Sequence, residues 1–167
     1  FAGSPWTLAN FMMDGGGVRE HTAARTLFYT DPRLYARLAE KLTRVVTELL
    51  QMQIEAGAEA VQIFDSLGGV LAGDAYEEAS ARWIREIVAG LRGRVPVIVF
   101  GRGVHDHWDL LAGLGSQGLS VDWTVRLAEV RRRVREGIAL QGNLDPQVLT
   151  ATPEVVFREG EVVGPFL

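Results

Sequence analysis

Short, almost uninterrupted apolar runs alternate along the chain with longer segments in which apolar residues return every three or four positions. Ala60-Val-Gln-Ile-Phe-Asp65 and Val95-Pro-Val-Ile-Val-Phe100 are runs of the first kind, and Leu119–Trp123 and Ile138–Gly142 follow. Phe1–Trp6 reads as the end of a further strand running into a turn. Strands with so little polar alternation predict a parallel sheet buried on both faces. The intervening segments predict helices. Asp31-Pro32 supplies a capping carboxylate and a first-turn proline. Behind it Leu34, Leu38, Leu42, Val45, Val46, Leu49 and Leu50 form one apolar face of a long helix, which Ala56-Gly57-Ala58 stops. A second helix, from about Tyr76 to Leu91, turns Trp83, Ile84, Ile87, Val88 and Leu91 inward. A third carries Trp108, Leu110, Leu111 and Leu114, a fourth Val125, Leu127, Val130 and Val134, and a fifth starts at Thr152-Pro153-Glu154.

Strand–helix alternation of this kind builds either a doubly wound open sheet or a (β/α)8 TIM barrel. No Gly-x-Gly-x-x-Gly turn follows a strand, as a dinucleotide-binding sheet would want. Polar or small residues sit just past the strand ends instead: Ser4, Asp65-Ser66, Gly101-Arg102-Gly103, Asp122 and Gln141-Gly142-Asn143. A barrel places its site there. The expected fold class is therefore α/β, a (β/α)8 TIM barrel. It is present as an incomplete barrel of about five strand–helix units, because a complete one takes eight strands and roughly 200 residues or more. Residues 1–167 are expected to form a single partial domain lacking the N-terminal and C-terminal parts of the barrel. The opening at Phe1 and the ending Val163-Gly-Pro-Phe-Leu167 look like cuts through a larger domain.

Composition narrows the chemistry. Hydrophobic residues make up 47% and charged ones 23%, a folded globular balance. A net charge of −4 argues against a surface built for nucleic acid or anionic lipid. No apolar run approaches the roughly 20 residues of a membrane span, and no signal segment is expected. Cysteine is absent, which removes disulfides, thiolate nucleophiles and Cys-ligated metals, and fits a cytoplasmic enzyme.

Several motifs carry two readings each. Asp65-Ser66 before Gly68-Gly69 presents a carboxylate and a hydroxyl at a strand end, with glycines through which a ligand can approach the backbone. The same residues also read as a glycine turn capped by Asp65. Asp14-Gly-Gly-Gly17 lacks the Gly-Lys-Ser/Thr ending of a P-loop and reads as a turn. His105-Asp106-His107 has a chelating spacing but no third ligand, so Asp106 is expected to cap the next helix. Arg131-Arg132-Arg133 with Arg135 reads as a solvated face near a helix C-terminus. His21 is expected on the surface of an early helix. Asp122 reads either as a residue that holds a substrate amine or as the cap of the helix after Thr124, with the structural role favoured. Trp6, Trp83, Trp108 and Trp123 are expected in the core or on helix faces.

Taken in order, Phe1-Ala-Gly-Ser-Pro-Trp-Thr-Leu8, Gly15-Gly-Gly17, Gln62-Ile-Phe-Asp-Ser66 with Gly68-Gly69, Val121-Asp-Trp-Thr-Val125 and Leu140-Gln-Gly-Asn-Leu-Asp-Pro146 resemble the uroporphyrinogen decarboxylase family over essentially the whole chain. The resemblance implies a (β/α)8 barrel, a homodimer in the cytoplasm, no cofactor or metal, and a small-molecule tetrapyrrole substrate. It also implies decarboxylation of the four acetate side chains of uroporphyrinogen III to coproporphyrinogen III in haem biosynthesis. This chain matches strands three to seven of that barrel. The family's arginine pair, central aspartate and late histidine have no counterpart in it, so the chain alone is expected to be inactive, with no catalytic residue of its own.

By the same resemblance, Ser66 matches a substrate-contacting Ser/Thr position, and Phe1, Gly3 and Phe64 match pocket-lining positions. Phe11 stands where the family usually has a tyrosine, which keeps the ring and loses a donor. The segment after Pro153 and the His105–Trp108 loop follow the family pattern less closely. Two other functions fit the residues less well. One is a corrinoid/thiol methyltransferase of the same superfamily, disfavoured by the lack of cysteine. The other is a non-catalytic remnant that binds porphyrins or a partner chain.

Overall fold

The structure, a computed structural model, describes residues 1–15 and 20–163, the side chains of 161–163 excepted. Gly16 and Gly17 of the glycine run, and residues 164–167 of the final segment, lie outside the described residues. Five strands form one parallel sheet in unbroken chain order: β1 (Ala2–Gly3), β2 (Val61–Asp65), β3 (Val97–Gly101), β4 (Gly118–Val121) and β5 (Ala139–Gln141). Helices make the crossovers. α1 (Pro5–Asp14), α2 (Ala23–Thr30) and α3 (Pro32–Glu55) lead from β1 to β2. α4 (Asp74–Tyr76), a π-helical turn at Glu77–Ala81 and α5 (Arg82–Gly90) lead to β3. α6 (Trp108–Ala112) and α7 (Leu127–Arg133) precede β4 and β5, and α8 (Pro153–Val163) follows. An unbroken sequential order is that of a barrel wall. A doubly wound sheet reverses its order at a switch point.

The register sorts the strand residues into two faces. Ala2, Ile63, Val99, Leu119 and Leu140 stand side by side on one, and Gly3, Phe64, Phe100, Ser120 and Gln141 on the other. The first face packs into the helical layer, where Ile63, Val99 and Leu119 are buried beside Ile84, Ile87 and Leu91 of the α5 region. The second face stays partly open, so the expectation of burial on both faces holds for one. Five strands put no facing strands opposite it among the described residues.

Several helices differ from expectation: α6 ends at Ala112, short of Leu114, and α7 holds neither Val125 nor Val134. The opening segment does not end in a turn: the chain leaves β1 at Gly3 and enters α1 at once. Ser4 Oγ accepts the Thr7 N–H at 3.0 Å and Pro5 occupies the first turn, the same cap-plus-proline device that starts α3 at Asp31-Pro32. On α3 the buried stripe is Tyr35, Ala39, Leu42, Val46 and Leu50, while Leu34, Val45 and Leu49 are exposed. The apolar arc of this helix is wider than the stripe its neighbours cover. The other helices bury the expected residues, among them Trp83, Ile84, Trp108, Leu111, Leu127 and Val130. Trp6, Trp83 and Trp108 are core residues, but Trp123 lies beyond the end of β4 and is 37% exposed.

Candidate functional site

Of the expected site residues, Gly3, Phe64 and Ser66 lie at or just past the C-terminal ends of β1 and β2, Phe1 stands immediately before β1, and Phe11 lies on α1. Gly3 pairs in register with Phe64. The Phe64 ring meets Phe1 edge-on at 5.8 Å and Phe100 at 5.7 Å, which makes an aromatic row along the open face. Ser66 follows β2 directly. With Leu67, Gly69, Val70, Arg102 and Gly103 it lines a depression of about 270 Å³. Phe11 lies on α1, 44% exposed, with its ring edge-on to His21 at 5.4 Å. The chain thus brings Phe1, Gly3 and Phe64 together, sets Ser66 at the rim, and pairs Phe11 with His21. Two depressions of about 310 and 280 Å³ share Gly115, ahead of β4 at the opposite end of the strands, and hold none of the expected residues.

Asp65 takes neither of its two expected roles. It continues the buried alternation Val61, Ile63, Asp65, so its carboxylate points into the helical layer and away from the open face. There it accepts hydrogen bonds from Ser4 Oγ at 2.6 Å, Ser80 Oγ at 2.9 Å and Thr7 Oγ1 at 3.3 Å. One carboxylate so ties β2 to the cap of α1 and to the π-helical turn. That wide turn also leaves the Ala79 carbonyl free to accept from the buried Tyr35 hydroxyl. Burial pushes the Asp65 carboxyl above its ordinary range, against the opposing pull of these hydroxyls. Burial, then the Asp65 charge, push the phenols of Tyr35 and Tyr76 upward. The Tyr76 hydroxyl approaches the carboxylate without reaching hydrogen-bond geometry.

Gly68 and Gly69 admit the protein's own atoms. A Cβ on Gly68 would stand 2.5 Å from Asp65 Oδ2, and one on Gly69 would stand 2.7 Å from the Arg102 carbonyl oxygen. The Gly69 N–H donates to that same oxygen at 2.9 Å. The glycine pair is therefore required for the loops after β2 and β3 to lie against each other, with Ser66 and Arg102 at their junction.

Asp122 organises the next loop pair. It does not cap α7, which begins at Leu127. Its carboxylate accepts from the Gly103 N–H at 2.7 Å, from the Thr124 N–H at 2.8 Å and from Thr124 Oγ1 at 2.5 Å. The Thr124 hydroxyl has one proton and gives it to Asp122. Its contact with His105 Nε2 at 2.9 Å is therefore donated by the His105 ring, so Nε2 carries a hydrogen. Burial raises the Asp122 carboxyl, but the Thr124 hydroxyl, the Gly103 and Thr124 N–H groups and the nearby His105 together hold it below its ordinary range.

The remaining motifs are structural. His105-Asp106-His107 forms a 3-10 turn, and among the described residues no three His, Asp or Glu side chains gather as a metal site. Asp106 does not cap α6: His107 occupies the N-cap without a side-chain bond, and its ring stacks on Tyr76 at 4.7 Å. His21 precedes α2 and is half-buried between Phe11 and Asp14, whose Oδ2 is 3.9 Å from its Nδ1. Arg132, Arg133 and Arg135 are exposed, as a solvated face requires, and Arg131 is half-buried. Arg131 donates to the carbonyls of Val134, Arg135 and Ile138, closing the C-terminus of α7, and Arg133 donates to those of His105 and Asp106. Arg102 was not selected from the sequence as a site residue. The alternation Phe100-Gly101-Arg102 carried past the strand end is the signal that points to it. Among the described residues no helix is long and apolar enough to cross a membrane.

The family model described as uroporphyrinogen decarboxylase matches residues 1–163. A uroporphyrinogen decarboxylase of Neisseria meningitidis serogroup C is 46% identical over 164 residues, covering 95% of this chain and 46% of the relative. Those of Alkalilimnicola ehrlichii and Cellvibrio japonicus are each 44% identical over 164 residues, and the chain covers 45% and 46% of their lengths. The chain thus spans about half the length of the curated relatives it matches. Its five-stranded parallel sheet is a portion of a (β/α)8 barrel wall, and the chain belongs to the uroporphyrinogen decarboxylase family.

Proposed function

We propose that the protein carrying this chain is a uroporphyrinogen decarboxylase, a carboxy-lyase of porphyrin biosynthesis. The observation that carries the reading is the 46% identity over 95% of the chain to a protein of that name. In this reading residues 1–167 supply the central part of one barrel, in a cytoplasmic homodimer that needs no cofactor. The substrate is the tetrapyrrole uroporphyrinogen, and its four acetate side chains lose carbon dioxide to give coproporphyrinogen. The chemistry suits a protein without an electron sink of its own. Protonation of a ring carbon makes an electron-rich pyrrole a cation, and that cation takes up the electron pair of the breaking carbon–carbon bond as carbon dioxide leaves. The exocyclic methylene so formed takes a proton to become the methyl group, while the ring carbon gives its proton back. The protein's part is to donate the proton, hold the pyrrole N–H groups and bind the acidic side chains.

Within this chain we assign substrate contact to Ser66, which lines the depression just beyond β2, and lining to Phe1, Gly3 and Phe64. The aromatic row provides the apolar wall against which charge–charge contacts gain strength. Phe11, on α1 beside His21, presents a ring without a hydroxyl donor. The proton donor and the carboxylate for the pyrroles are assigned to parts of the barrel outside residues 1–167.

Turnover assays on two proteins test the reading. The protein at the length of its relatives is expected to convert uroporphyrinogen to coproporphyrinogen, and residues 1–167 alone to produce none. No product from the longer protein would refute the assignment, and product from residues 1–167 alone would refute the division of roles. In the longer protein, Phe11→Tyr is expected to tighten substrate binding by roughly 0.5–1.5 kcal/mol, one neutral hydrogen bond, seen as a lower KM. An unchanged or higher KM removes Phe11 from the site.

A further inference from the structure

Arg102 is the cation at the strand-end depression. It stands one residue past Gly101, as Ser66 stands one past Asp65, and those two strand residues are register partners. Its backbone is held on three sides. The Arg102 N–H donates to the Asp65 carbonyl at 3.2 Å, the Gly69 N–H donates to the Arg102 carbonyl at 2.9 Å, and the following Gly103 N–H donates to the Asp122 carboxylate at 2.7 Å. The guanidinium lies 5.4 Å from the centroid of the Trp123 ring, an arrangement that steadies it without neutralising it. Among the described residues no carboxylate lies within 4 Å of it and it donates no hydrogen bond. By contrast Arg82, Arg85 and Arg94 pair with Glu78, Glu77 and Glu55, and Arg131 and Arg133 close carbonyl groups. Arg102 therefore joins a rigid backbone to an unspent charge, beside a hydroxyl and over an aromatic ring.

We propose that Arg102, positioned by the Gly69 and Asp122 contacts and resting on Trp123, is a substrate-binding residue that takes a carboxylate side chain of the substrate next to Ser66. The assignment rests on the decarboxylase reading above, whose substrate carries several carboxylates. A guanidinium presents a planar fork that matches a carboxylate with two parallel hydrogen bonds, and the Ser66 hydroxyl adds a third donor at the same rim. The bond is charge-assisted and Arg102 is exposed, so salt weakens it.

The test is steady-state kinetics on the longer protein with uroporphyrinogen as the probe. Arg102→Gln is expected to raise KM at least about tenfold, the scale of a lost charge-assisted bond, with kcat changed less than about threefold. It is also expected to flatten the rise of KM with ionic strength seen in the wild type. Arg102→Lys keeps the charge and loses the fork, so it is expected to recover most of the KM and the full salt dependence. Thermal midpoints of both variants within a degree or two of wild type show that the fold is intact, as expected for an exposed side chain. Wild-type turnover together with an unchanged KM and salt dependence in Arg102→Gln overturns the Arg102 assignment alone. Absence of wild-type turnover overturns the decarboxylase reading, and this assignment falls with it.

Discussion

Replacing Asp65 by alanine is expected to lower the unfolding free energy by roughly 3–5 kcal/mol, read from urea midpoints at constant slope. The loss is large because three hydroxyls, on Ser4, Thr7 and Ser80, depend on this one buried carboxylate. Without it each is left in a dry site with no acceptor, and an orphaned buried polar group costs roughly 1–3 kcal/mol. The damage also spreads along the fold. Ser4 caps α1, and Ser80 sits in the π-helical turn against which Tyr35 of α3 donates. Asp65→Asn keeps the shape and one acceptor oxygen, so it is expected to cost less than half as much. A loss below about 1 kcal/mol in Asp65→Ala would show that the hydroxyls find other partners.

The same residue sets a pH dependence of known sign. Because burial raises the Asp65 carboxyl in the folded state, the native protein binds its proton more tightly than the unfolded chain does. The stability this contributes is fully present below the unfolded value, about 4, and is lost as pH rises through the raised folded value. Stability of the wild type measured against Asp65→Asn is therefore expected to fall with rising pH from about 4 upward and then level off. A rise across that range would mean that the hydroxyls outweigh burial.

Trp6→Ala is the second large effect, with an expected loss of roughly 3–5 kcal/mol. Trp6 is fully buried, stands edge-on to Tyr35 at 5.9 Å, and its indole N–H donates to the Leu67 carbonyl at 2.9 Å. Truncation removes the largest packed side chain of α1 and frees the segment that follows Ser66. On the proposed decarboxylase reading, the variant in the longer protein is expected to raise KM for uroporphyrinogen as well as to destabilise, because Leu67 lines the depression with Ser66. Trp6→Phe restores most of the volume and not the hydrogen bond. It is expected to recover most of the stability while keeping part of the KM increase. Equal recovery of both would make the role of Trp6 one of packing alone.

Local rules carried much of the fold. Asp31-Pro32 and Thr152-Pro153 start helices because a capping side chain and a fixed φ act within one turn. The apolar runs ending at Asp65 and Phe100 are strands because a sheet covered by helices accepts apolar residues. Ser4-Pro5 obeys the capping rule too, and attention to it predicts α1. Other features depend on which surfaces meet. Leu34, Val45 and Leu49 extend the apolar arc of α3 but no neighbour reaches them, and periodicity counts apolar positions without knowing where the neighbour stops.

At the site, sequence order placed Ser66, Phe64 and Gly3 at strand ends, since strand and helix lengths are encoded locally. Whether Asp65 turned toward a ligand or toward the helices was decided by the strand's alternation together with Ser4, Thr7 and Ser80, which lie up to 61 residues away in sequence. The glycines at 68 and 69 were legible as a place of close approach, but the approaching group, the Arg102–Gly103 backbone, comes from the next strand's loop. Arg102 itself looks like any exposed arginine until that loop is seated.

By itself, then, the sequence determined the class of the fold, the order of its elements, the missing thiol chemistry and the family pattern, because each follows from residues close together in the chain or from composition. Only the tertiary structure decided that Asp65 is a buried tie, that Asp122 and Gly69 fix the Arg102 loop, and that a cation without a carboxylate partner among the described residues lines the same depression as Ser66. Those facts depend on hydrogen bonds and exclusions between loops that meet only once the parallel strands are in register.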